Sequence, residues 1–228
     1  MDGVLLVDKP ERMTSHDVVD FIRRRFRIKK VGHAGTLDPM ATGLLVILLG
    51  KSTKDSLLFS GQEKGYEATM VLGVRSDTGD ADGMLTDAGG DAAIERETLN
   101  KAFEAFLGEI DQVPPMYSAV KYKGKKLYEL ARRGIAVKRE PRRVIIRSLS
   151  IHKYDFPVVE FSVECSKGTY VRQLCIDIGE RLGCGAHLTR LRRVRSGGFT
   201  VERSVALETL KERPRDSIGD LITKRTNE

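Results

Sequence analysis

GHAGTLDPMATGLLVILLG, Gly32 to Gly50, is the stretch from which the rest of the chain can be read. Its second half, Leu44 to Leu49, is a continuous apolar run bounded by Gly43 and Gly50, which predicts a strand buried on both faces. Its first half is a turn-rich segment carrying a lone acid, Asp38. Beside a buried strand, desolvation alone pushes a carboxylate toward its neutral form, so keeping it ionised takes a nearby cation or several donors. An Asp followed by Pro is also a common turn former, and this fragment by itself leaves both readings open.

Working outward, GVLLVDKP from Gly3 predicts a short strand ended by Pro10, and TSHDVVDFIRRRF predicts a helix capped by Thr14 or Ser15. Val18, Val19, Ile22 and Phe26 form its apolar stripe, leaving Arg23, Arg24 and Arg27 to face water or phosphate. Gly65 to Gly73 and FSVECS fit further strands. Leu99, Ala102, Phe103, Phe106 and Leu107 mark an amphipathic helix closed by Gly108. GTYVRQLCIDIGERLG predicts another, with Val171, Leu174, Cys175, Ile178 and Leu182 inward and Gly183 as its stop. Strands and helices mix without strict alternation, which predicts an α+β fold with a mixed, largely antiparallel central sheet flanked by helices and loops. With no repeat or linker, one continuous domain is expected. Between Val113 and Ile145, a segment dense in Lys, Arg and Tyr surrounds the short helix LYELARRG. It fits either an excursion that closes over a ligand or a passive loop.

Charge is uneven. The chain carries +7 at neutral pH with a pI near 9.3, yet from Asp77 to Asp111 ten acids stand against two bases. Two basic blocks, KREPRRVIIR (138–147) and HLTRLRRVRSGG (187–198), suit a polyanion, because neutralising phosphates releases condensed counterions. On charge alone, a solvated basic face remains the alternative. The N-terminus lacks the basic and long apolar regions of a secretory signal, and no apolar run is long enough to span a bilayer, so a cytoplasmic location without membrane association is expected. Cys165, Cys175 and Cys184 are odd in number and lack C-x-x-C spacing, which predicts reduced, buried thiols and no metal site.

Other chemistries fail on spacing. SDTGDADG (76–83) is not an EF-hand loop, since Thr78 would occupy the first ligand position and Gly89 the last; a solvated, turn-forming acidic loop is expected instead. No Walker A, G-x-G-x-x-G, H-E-x-x-H or G-x-S-x-G sequence occurs, which removes nucleotide hydrolysis and metalloprotease readings and gives Ser-His-Asp chemistry no local starting point.

The pieces GVLLVDKP..MTSHDVV, GHAGTLDPMATGLL, KGYEATMVLGVRSDTGDADG, PPMYSAVKYKGKKLYELARRG, REPRRV, CSKGTYVRQL and GCGAHLTRLRRVRSGGF occur in that order from Gly3 to Phe199. Together they resemble the bacterial TruB family of tRNA pseudouridine synthases, which make pseudouridine at position 55 in the T-arm of tRNA. The resemblance implies a pseudouridine synthase fold, a catalytic domain over residues 1–200 with an RNA-binding excursion at about 113–145, and a cofactor-free isomerisation. It matches Asp38 to the family's catalytic aspartate nucleophile and Arg172 to the arginine that pairs with it. It matches Tyr66 to the aromatic that stacks on the base and is a candidate for removing the C5 proton. Leu191 corresponds to the apolar wall of the uracil pocket, and His33 to a histidine that contacts flipped nucleotides. Lys9 and Tyr170 lie in motifs beside the site.

Arg12 stands where the family usually has glycine, which predicts a differently shaped turn after Pro10. Residues 201–228 are expected to form a short tail without a complete PUA RNA-binding domain. The implied partner is tRNA, bound by a monomer with no obligatory protein partner. Two alternatives stay open at this level: a synthase acting on another RNA or within a guide-RNA complex, and a non-catalytic tRNA-binding or folding module.

Overall fold

The computed structural model describes residues 1–89 and 93–223; residues 90–92 of the acidic segment and 224–228 of the expected tail lie outside them. In chain order the strands are β1 (Gly3–Lys9), β2 (Val31–Ala34), β3 (Thr42–Leu49), β4 (Lys64–Leu72), β5 (Val74–Ser76), β6 (Leu85–Asp87), β7 (Gly108–Gln112), β8 (Lys121–Tyr122), β9 (Lys125–Lys126), β10 (Arg142–Asp155), β11 (Val158–Cys165), β12 (Ala186–Ser196), β13 (Phe199–Thr200), β14 (Val205–Ala206) and β15 (Ile222–Thr223). The helices are α1 (Ser15–Arg25), α2 (Ser56–Ser60), α3 (Arg96–Glu104), α4 (Leu127–Ala131), α5 (Val171–Leu182) and α6 (Leu207–Glu212). They form two compact units, Met1–Glu67 with Leu191–Glu228, and Ala68–Arg190.

In the first unit the strand order is β14-β1-β3-β12, with β15 on β1, β2 on β3 and β13 on β12. The β1–β3 ladder is antiparallel from Gly3↔Leu49 to Lys9↔Gly43, and β3 meets β12 in parallel at Thr42↔Arg192 and Gly43↔Arg193. β3 is the buried strand expected of an unbroken apolar run. Leu44, Val46 and Leu48 pack with Val4, Leu6 and Ala34 on one face, against Phe59, Phe199 and Val201, while Leu45, Ile47 and Leu49 are buried on the other. Each such side chain contributes on the order of 2 kcal/mol of burial, enough to make β3 a stiff base for the loop before it. Thr14 caps α1 through a reciprocal box with Asp17, and Val18, Val19 and Ile22 are its buried stripe. Two short strands after residue 200 fold onto β1: β14 pairs with it in parallel and β15 antiparallel.

In the second unit, which β4 enters at Ala68, the order is β4-β11-β10-β7, and β10 is antiparallel to both β11 and β7. The fold is thus α+β with a mixed, mainly antiparallel sheet. Two local expectations need correction. Helix α3 ends at Glu104, so Phe106 and Leu107 lie beyond it and Leu107 is exposed. The SDTGDADG loop is not simply solvated, because Asp80 is buried within it.

The turn after Pro10 has an instructive backbone. Arg12 adopts φ +64°, the left-handed region where glycine pays no steric penalty. The resemblance's usual glycine at this position therefore suits the conformation that the arginine is made to adopt. Arg12→Gly is expected to be neutral or stabilising by up to about 1 kcal/mol, whereas the β-branched Arg12→Val should cost about 1–2 kcal/mol. Urea denaturation checks this; equal stability of all three proteins would mean that the turn relaxes freely.

Candidate active site

Asp38 stands half-buried in the connection from β2 to β3, and in the first unit its neighbours in sequence are clamped on both sides. Before it, the buried Ser15 hydroxyl accepts from the Leu37 N–H at 2.8 Å and donates to the Leu37 carbonyl at 3.2 Å. After it, the Pro39 carbonyl accepts from the Arg12 N–H at 2.9 Å and from Lys9 Nζ at 3.3 Å. The Asp38 carbonyl itself closes a turn with the Ala41 N–H at 3.1 Å. At the far end of the connection, Gly43 takes φ +96°, and a Cβ there would lie 2.4 Å from the Arg193 carbonyl, so only glycine fits.

Lys9 is fully buried, and its three ammonium protons are matched by three carbonyls: Met13 at 2.6 Å, Pro10 at 2.8 Å and Pro39. Burial pushes its pKa down to about 8, against the opposing pull of Asp38, the strongest of the nearby negative charges. Because the ordinary value of 10.5 lies above this, the unfolded chain binds more protons between the two, and this group makes stability rise with pH across that window. Denaturation midpoints measured from about pH 7.5 to about pH 10 should show the rise in wild type and lose it in Lys9→Met; parallel curves would put the titration elsewhere.

His33, on β2, is half-buried, and its buried Nδ1 has no hydrogen-bond partner among the described residues. Burial, then the charges of Arg193 and His16, hold its pKa below the usual histidine value. The ring is accordingly neutral at pH 7. Tyr66 is half-buried on β4, and Leu191 is buried on β12 with its carbonyl accepting from the Thr42 hydroxyl at 3.5 Å. Lys9, His33, Asp38, Tyr66 and Leu191 all belong to the first unit.

Tyr170 and Arg172 belong to the second. Tyr170 is the N-cap of α5, where the buried Gln112 side chain from β7 grips its backbone twice, accepting from its N–H at 2.8 Å and donating to its carbonyl at 3.1 Å. That places Arg172 on the first turn, with its side chain only 4% exposed. It donates to the carbonyls of Thr78 and Tyr117, both at 2.9 Å, and meets the Asp80 carboxylate at 3.4 Å. Asp80 in turn accepts from the Thr78 hydroxyl at 2.6 Å and the Asp82 N–H at 3.2 Å. Through Tyr117 the arginine also fixes the base of the lysine-rich excursion. There Lys126 and Arg132 both lie over the Tyr128 ring, and the β8–β9 turn presents exposed Lys121, Lys123 and Lys125.

Sequence reasoning missed Asp80, Gln112, Ser15 as a clamp, and Arg193. For Arg193 a signal existed: the period of two along β12 puts it on the same inward face as Leu191. A 1% exposed arginine on that face is what the strand delivers. Asp80 carried no such mark, being one acid among several in a turn.

The family model described as "TruB family pseudouridylate synthase (N terminal domain)" matches residues 23–171, more than half of the chain, and that of the "tRNA pseudouridylate synthase B C-terminal domain" matches 172–218. The chain belongs to the TruB family. Curated TruB relatives named tRNA pseudouridine synthase B include that of Syntrophotalea carbinolica, 49% identical over 92% of this chain and 69% of its own length. That of Burkholderia pseudomallei is 51% identical over 95% and 71%. Among solved structures, this TruB chain is similar to one in a Cbf5-Nop10-Gar1 complex, with 31% identity and a TM-score of 0.73. It covers 96% of this chain, which spans 57% of that one. The fold is that of the pseudouridine synthases. No helix among the described residues is long and apolar enough to cross a membrane.

Proposed function

We propose that this chain isomerises uridine to pseudouridine in tRNA, at position 55 of the T-loop, with Asp38 as nucleophile. The observation that carries the reading is the membership of the TruB family together with an intact GHAGTLDP segment whose aspartate sits on a loop clamped through its main chain. In this reading the target nucleotide leaves its stack, at a cost of a few kcal/mol, and stacking on Tyr66 at about 1–3 kcal/mol per base offsets much of it. With Asp38 as nucleophile the N1–C1′ bond breaks, the uracil turns against Leu191, and C5 forms the new bond to C1′. Tyr66 removes the C5 proton, N1 takes up a proton, and nothing is oxidised or reduced. Arg172 has the role the resemblance assigns to it, as the cation that accompanies the carboxylate. His33, neutral at pH 7, contacts the flipped nucleotides as a hydrogen-bonding ring. Lys9 and Tyr170 act through the main chain they hold or belong to.

The basic excursion is proposed as an RNA contact, its exposed lysines and arginines giving binding that weakens steeply with salt. Deleting residues 119–137 should weaken binding of the transcript; unchanged affinity would count against this. The enzyme is proposed to act as a cytoplasmic monomer without an obligatory protein partner.

The test is conversion of an unmodified tRNA transcript followed by C5-tritium release and by mapping of the modified position. Pseudouridine confined to position 55 is the expected result. A second reading, action within a guide-RNA complex, draws on the likeness to the chain in the Cbf5-Nop10-Gar1 complex. Activity on free tRNA would exclude the need for such a complex, and modification elsewhere or none would move that reading forward.

A further inference from the structure

We propose that Arg193 is a positioning residue for the loop that carries Asp38, a single guanidinium that ties the two ends of that loop together and so fixes where the carboxylate stands. The inference rests on the reading of Asp38 as the nucleophile. Arg193 is fully buried on β12. Its Nε donates to the Leu44 carbonyl at 2.8 Å and its Nη2 to the Gly35 carbonyl at 3.0 Å. Those two carbonyls bracket the loop: Gly35 directly follows β2, and Leu44 lies just inside β3. The main chain of the same residue pairs with Gly43. The Ser15 hydroxyl, the Arg12 N–H and the Lys9 ammonium hold the loop at Leu37 and Pro39, near its middle, whereas the Arg193 guanidinium reaches both of its ends.

Residue type matters here. A guanidinium is a rigid planar fork whose donors reach two carbonyls in fixed directions, which a lysine ammonium on a flexible stem does not reproduce. Among the described residues Arg193 forms no ion pair, so its buried charge is met by backbone carbonyls. A well-packed apolar side chain would fill the same space without the desolvation cost if packing were its only role. Its charge also bears on the neighbourhood, opposing protonation of both Lys9 and His33.

The test compares wild type, Arg193→Lys and Arg193→Met in single-turnover conversion of the tRNA transcript, with transcript affinity measured separately and hydrogen exchange followed at residues 35–43. A loop displaced by about 1 Å can cost on the order of 100-fold in rate, so a fall of about 30-fold or more is expected for Met and about tenfold for Lys. Affinity should change by less than about threefold, since the loss lies in geometry rather than in RNA contacts. Loop amides should exchange faster in both variants while Leu45 to Leu49 keep their protection. An unchanged rate in a folded Arg193→Met protein, or unchanged loop exchange, overturns the proposal. Should the methionine variant fail to fold, the lysine variant decides by the same two readouts. Inactive wild-type protein whose loop nonetheless loosens in the variants would count against the proposed reaction and for the clamp.

Discussion

Asp38→Asn is expected to give a folded protein that makes no measurable pseudouridine, a fall of at least about 10⁴-fold in single-turnover rate. Asparagine has the shape of aspartate, and the hold on this loop through Leu37 and Pro39 is made by main-chain groups, so the loop should keep its place. What is lost is the negative charge and the nucleophile. Loss of that charge has a second, independent signature. Asp38 is the strongest charge raising the Lys9 pKa, so in the variant that value drops further below about 8 and the pH-dependent rise in stability begins at lower pH. Tritium release and denaturation curves across pH measure the two effects separately. A residual rate within tenfold of wild type would remove Asp38 from the chemistry.

Asp80→Ala is expected to cost about 3 kcal/mol of stability, because it withdraws a carboxylate from a buried guanidinium. The 3.4 Å separation is long for an ideal pair, which places the estimate at the lower end of the range for such changes. The Thr78 hydroxyl and the Asp82 N–H lose their acceptor at the same time. Asp80→Asn keeps an oxygen acceptor for these donors and should cost less. Urea denaturation of both variants measures the difference; a loss under about 1 kcal/mol for alanine would mean that the other partners of Arg172, the Thr78 and Tyr117 carbonyls among them, suffice.

β3, α1 and α5 were readable in advance because each announces itself locally. An unbroken apolar run, a capping box and a helical stripe ended by Gly183 need no knowledge of what packs against them. The end of α3 was not, since Phe106 and Leu107 continue the helical spacing while the chain has already turned toward β7. Motif names Asp38, Arg172 and the other candidate site residues, and the structure adds how the main chain around several of them is held. Those means are long-range. Ser15 reaches Leu37, Gln112 reaches Tyr170, and α5 brings Arg172 to the buried Asp80. Charge and turn chemistry assign an acid in SDTGDADG to water, and only tertiary packing overrides that assignment.

The clamp on the Asp38 loop also sets a timetable. Lys9, Arg12 and Ser15 leave the ribosome before Asp38 does, but Arg193 follows Gly35 by 158 residues. At synthesis rates of about 5–20 residues per second, about 8 to 30 seconds separate the two ends of that hydrogen bond. β1 waits longer still for its parallel neighbour, since Val7 pairs with Val205. A nascent chain therefore carries its aspartate long before it can hold it in place, and competence waits for β12 to be made.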